Sequence, residues 1–97
     1  MKIEKDKRGH VISPTEHFTF KEHKEFHSAY ARIKKPTKYI LDMKNVKYVD
    51  SSALGMIQLL GDHSSVKSKR DINIINAHEN VKKFFTIFNF DKMYRIS

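Results

Sequence analysis

The sequence predicts a single α/β domain in which a mixed, mostly parallel β-sheet is packed by α-helices. Three observations carry this expectation. Short β-rich segments alternate with longer segments whose apolar residues recur at helical spacing, the order that yields parallel strands and right-handed crossovers. The 97 residues contain no internal repeat, low-complexity tract or Pro/Gly/Ser linker, so one domain spans 1–97. A hydrophobic fraction of 39% with 11% aromatics is enough for a core and too much for a disordered chain.

Taken in order, residues 2–13 read as a strand or loose hairpin, with Ile3, Val11 and Ile12 on either side of Gly9 and Pro14 as the stop. Thr19-Phe20-Lys21-Glu22 has the spacing of a capping box. Behind it a helix is expected over 20–34, because Phe26, Ala29, Tyr30 and Ile33 share one face and Pro36 prevents continuation. Tyr39-Ile40-Leu41 marks a buried strand over 38–43, followed by a turn at Lys44-Asn45 and a brief extended piece ending at Val49. Asp50-Ser51-Ser52 are all residues that favour helix N-caps, and they open a helix over 52–68. Its Ala53, Leu54, Met56, Ile57, Leu59 and Leu60 leave only Gly55, Gln58, Asp62 and Ser65 as a small or polar face. A helix so apolar must lie between other elements, with Met56, Leu59 and Leu60 in the core. Lys67, Lys69 and Arg70 suit its C-terminal dipole. Ile72-Asn73-Ile74-Ile75 is a strand over 72–76. Val81, Phe84, Phe85 and Phe88 form one face of a helix over 79–88, which Asn89 can end in a left-handed conformation. Met93-Tyr94-Arg95-Ile96 returns to the sheet.

Several function classes are excluded or weakened. With no cysteine, there is no disulfide scaffold, no Cys-based zinc site and no thiol nucleophile. No apolar run is long enough to span a bilayer, and Met1-Lys2-Ile3-Glu4-Lys5-Asp6 lacks a signal-peptide core, so a soluble cytoplasmic domain without stable membrane insertion is expected. The net charge of +8 permits an anionic partner, yet the basic residues are dispersed and never interleave with aromatics in an RNA-binding pattern. Nucleic acid is therefore disfavoured. Phosphate-binding loops and nucleophile elbows are absent. His23 and His27 stand at i, i+4, but Lys24 occupies the place of a catalytic Glu and no third ligand is evident. Asp42 and Asp50 could pair as carboxylates at strand ends, a weak signal. No catalytic residue, metal or cofactor is assigned, and the chain reads as a non-enzyme.

Polar residues concentrate at one step only. Val49-Asp50-Ser51-Ser52-Ala53-Leu54-Gly55 passes from a strand to a helix N-terminus, where free backbone donors and the positive dipole end gather. One cap residue would suffice there, and three follow one another. This step, with Tyr48-Val49 before it and Met56-Ile57 after it, resembles the STAS domain and most closely the bacterial anti-sigma factor antagonists. Tyr39-Ile40-Leu41-Asp42-Met43 and Ile72–Ile75 resemble further strands of that family, Val81–Tyr94 its last helix. Ala53 stands where the family has Gly, and Asn89 where Gly commonly ends the helix. The resemblance implies that Ser52, or in second place Ser51, is phosphorylated by an anti-sigma factor that is a serine/threonine kinase. A serine phosphatase would reverse this, and the unmodified domain would bind the anti-sigma factor to release a sigma factor. Asp50 would position the loop, and Asp50, Ser51, Gly55 and Gln58 would face the partner. Two alternatives remain: a STAS regulatory subunit of a membrane transport complex, and a small basic nucleic-acid-binding protein.

Overall fold

Asp6 and Gly9 shape the first turn of the chain. The Asp6 carboxylate accepts the Arg8 backbone N–H at 2.7 Å and pairs with its guanidinium at 2.8 Å. Gly9 has φ +132°, and a Cβ there would lie 2.7 Å from the Lys38 carbonyl oxygen, so only glycine fits. The turn joins β1 (Lys2–Asp6) to β2 (Gly9–Ser13) as an antiparallel hairpin. The computed structural model describes residues 1–33, 38–63 and 72–97.

After the hairpin come β3 (His17–Phe18), a 3-10 turn (Phe20–Glu22) and α1 (His23–Ala31). The helix expected over 20–34 is thus part 3-10, and Ile33 lies beyond it, half-buried; Pro36 falls outside the described residues. Glu22 Oε1 accepts both the Thr19 N–H (2.9 Å) and the Thr19 hydroxyl (2.8 Å), so the capping box forms. Then follow β4 (Tyr39–Asp42), β5 (Tyr48–Val49) and α2 (Ser51–His63), one residue earlier at its start than its apolar pattern suggests. Residues 64–68 of the expected helix, with Ser65 and Lys67, lie outside the described residues, as do Lys69 and Arg70. The chain closes with β6 (Ile72–Ile75), α3 (Glu79–Ile87), a 3-10 turn (Phe90–Lys92) and β7 (Arg95–Ile96).

The main sheet runs β1-β2-β4-β6-β7, antiparallel at the hairpin and parallel at every other pairing. It is mixed and mostly parallel. Ile12, Tyr39, Leu41, Ile72 and Ile74 point from it into one cluster with Phe26, Ala29 and Tyr30 of α1, Met56, Ile57 and Leu60 of α2, and Val81 and Phe85 of α3. Each large side chain so buried contributes about 1.5–3 kcal/mol. α3 corrects the expected face: Val81 and Phe85 are buried, Phe84 is half-buried and Phe88 is 48% exposed. Asn89, at φ +61°, turns the chain back so that Phe90 stacks on Phe85 (5.8 Å, 11°). Phe90 takes the core place that helical periodicity assigns to Phe88.

Tyr39 and Tyr94 are fully buried, and neither hydroxyl has a hydrogen-bond partner among the described residues. Burial, followed by the nearby Tyr30, pushes the Tyr39 hydroxyl up to about 12. The protonated form is therefore favoured in the fold: this contribution to stability is complete below the ordinary phenol value and is lost as pH climbs toward about 12. Tyr39→Phe is expected to match or exceed the parent at neutral pH, by at most about 1–3 kcal/mol, and to unfold at higher alkaline pH. Circular dichroism across an alkaline titration checks this; earlier alkaline unfolding of the variant contradicts it.

Candidate functional site

The second, two-stranded sheet builds the site. β3 and β5 pair in parallel, His17 with Tyr48 and Phe18 with Val49, and the Glu16 carbonyl accepts the N–H groups of Lys47 (2.8 Å) and Tyr48 (3.1 Å). The two strands end side by side, so the turn into α1 and the start of α2 are neighbours. Asp50 joins them. Its Oδ1 accepts the Ser52 N–H at 3.0 Å, the N-cap bond of α2, and its Oδ2 accepts the Phe20 N–H at 3.2 Å. Of the three cap-forming residues, Asp50 is the cap, and both serines are left within the first turn.

Beside this cap lies an open groove of about 450 Å³, with Phe20 and His23 on one wall and Ser52, Gly55, Met56, Gln58, Leu59 and Asp62 of α2 on the other. Phe20 is 61% exposed and stacks on the His23 ring (4.8 Å, 16°), whose Nδ1 donates to the Phe20 carbonyl at 3.0 Å. Ser52 is half-buried within the groove, Ser51 is exposed beside it, and Gly55 and Gln58 are exposed. Among the described residues no other side chain bonds either serine hydroxyl. Among the described residues the groove lining has no lysine or arginine and one carboxylate, Asp62.

Sequence reasoning brings together Asp50, Ser51, Ser52, Gly55 and Gln58, and the structure places all five on this surface. It does not assign the other five groove residues, Phe20, His23, Met56, Leu59 and Asp62. Leu59, expected in the core, is 59% exposed and lines the groove beside Met56, because the neighbouring turn leaves this side of α2 open. Phe20 and His23 arrive from some thirty residues upstream through the β3–β5 pairing, and two-residue strands leave almost no sequence signal. Asp42 and Asp50 do not form a carboxylate pair: Asp42 instead accepts the Lys44 N–H and the Asn76 amide, both at 3.1 Å. His23 and His27 diverge, His27 resting edge-on against Tyr30 at 5.3 Å. No group of three or more metal-ligating side chains occurs among the described residues. No described helix is long and apolar enough to cross a membrane.

Gly55 offers a direct test of the groove. A Cβ built there meets nothing within 4 Å, so Gly55→Ala is expected to stabilise α2 by about 0.5–1 kcal/mol. A rise in melting temperature of a few degrees checks it, and a fall refutes an open groove at this position.

The comparisons agree with this architecture. The STAS domain family matches residues 2–97, nearly the whole chain. A STAS-domain containing protein of Pseudomonas aeruginosa (strain UCBPP-PA14) is 40% identical over 81 residues, covering 82% of this chain and 79% of that protein. With a five-stranded main sheet, three helices and a polar step at the start of the second helix all in place, the chain belongs to the STAS-domain family.

Proposed function

We propose that this STAS domain is an anti-sigma factor antagonist, a cytoplasmic binding module whose affinity for its partner is set by phosphorylation of Ser52. It serves as substrate of a kinase and does not itself catalyse a reaction. The family in general includes such antagonists and mediates protein–protein contacts. The observation that carries the reading is a half-buried serine in a groove lined in part by the apolar Phe20, Met56 and Leu59, with no lysine or arginine among the described residues of its lining. An unmodified groove of this kind can dock an apolar partner surface. A phosphate adds about −1.5 to −2 charge, and among the described residues the lining has no lysine or arginine to neutralise it. Within the domain, that charge sits at a helix N-terminus, where it is tolerated. Against a docked partner, and next to Asp50, it must be desolvated and repels. Modification therefore opposes binding without opposing the fold.

The partner is a serine/threonine kinase that also holds a sigma factor, and a serine phosphatase resets the switch. Incubation with ATP and that kinase is expected to add one phosphate, read by intact mass. Ser52→Ala should abolish the increment and Ser51→Ala should preserve it. Undiminished phosphorylation of the double Ser51→Ala/Ser52→Ala variant would overturn the proposal.

A further inference from the structure

The helices occupy one face of the main sheet. Their buried residues cluster with Ile12, Tyr39, Leu41, Ile72 and Ile74, and strand alternation turns the intervening side chains the other way. Glu4, Val11, Ile40, Asn73 and Arg95 align as one row across all five strands on that opposite face, with Ile75 two residues beyond Asn73. Among the described residues no helix covers this row.

We infer that this helix-free face is a second docking surface, for an extended acidic segment of a partner protein distinct from the one at Ser52. Val11 and Ile40 are only 5% and 2% exposed, and Asn73 and Ile75 are half-buried. Two shallow cavities lie along them, about 240 Å³ beside Arg8, Lys38 and Asn73, and about 340 Å³ beside Lys2, Glu4 and Lys44. The carboxylates here are already engaged: Glu4 with Lys2 and Asp6 with Arg8 at 2.8 Å each, and Asp42 with Lys44 at 4.0 Å. Lys38 and Arg95 pair with no acid among the described residues. The uncompensated charge is positive: Lys38 stands two residues before Ile40, and Arg95 is in register with Asn73. β4 and β7 are two strand spacings apart, about 10 Å, which an extended chain crosses in about three residues. A segment with carboxylates at that interval and an apolar residue between them complements the surface. The face has no aromatic side chain on which bases could stack, which disfavours a single-stranded nucleic acid. Its apolar residues Val11, Ile40 and Ile75 are buried or half-buried, which disfavours insertion into a flat bilayer. α2 itself, Ser51–His63, has no lysine or arginine.

The test titrates the isotope-labelled full chain with a synthetic peptide of alternating Glu and Val. Saturable amide shifts are expected at Ile40, Asn73 and Arg95, with Ser52 to Gln58 unmoved. Lys38→Glu/Arg95→Glu, both at exposed positions, should weaken binding by about tenfold or more with unchanged thermal melting, while Lys38→Arg/Arg95→Lys retains it. Absence of shifts, shifts confined to α2, undiminished binding by the charge-reversed variant, or tighter binding of an oligo-dT of equal charge would each overturn the inference.

Discussion

Ser52→Asp is expected to weaken binding of the kinase partner by more than a hundredfold, while Ser52→Ala binds as the parent does. The magnitude follows from placing a charge in a groove whose described lining has no lysine or arginine to answer it. A loss of about 3 kcal/mol, typical of a buried and unpaired interfacial charge, exceeds a factor of one hundred. The same substitution should leave the fold intact. Ser52 lies in the first turn of α2, where acidic side chains are favoured by the dipole, so its melting temperature should match that of the parent. Titration calorimetry and thermal melting, run on both variants, separate an interface effect from unfolding. Equal affinity of the two variants would remove the switch from this serine.

The second large effect concerns stability. Phe85→Ala is expected to cost about 3–5 kcal/mol and Phe88→Ala under about 1 kcal/mol. Phe85 is fully buried and stacked on Phe90, whereas Phe88 is half-exposed at the end of α3 and touches Phe84 at 5.2 Å. For a domain with about 5–15 kcal/mol of total stability, the first loss leaves little reserve and the second is minor. Urea midpoints of the two variants decide it. Similar losses at both positions would mean that α3 presents the face its periodicity suggests, and that Asn89 does not redirect the chain.

These two expectations mark how far the residues alone could be read. The strand–helix order, the capping box at Thr19 and the left-handed stop at Asn89 were all legible, because each depends on residues within a few positions of one another. The serine step was legible for the same reason: three cap-forming residues between an extended segment and an apolar run point to a helix start wherever they occur. Periodicity was less reliable at helix ends. It grouped Phe88 with Phe85 and Leu59 with Leu60, since spacing along a helix cannot tell which neighbouring element is present to cover a given turn.

What local sequence determined by itself is the set of elements, their starts and stops, and the display of a hydroxyl at the head of α2. Tertiary structure alone decided that Asp50 bridges Ser52 to Phe20, that Phe20 and His23 wall the groove, and that the described helices all pack on one face of the sheet. The reason lies in the range of the forces involved. Caps and turns are settled by hydrogen bonds between residues a few positions apart, whereas the β3–β5 pairing joins segments some thirty residues distant and forms only when the whole core condenses.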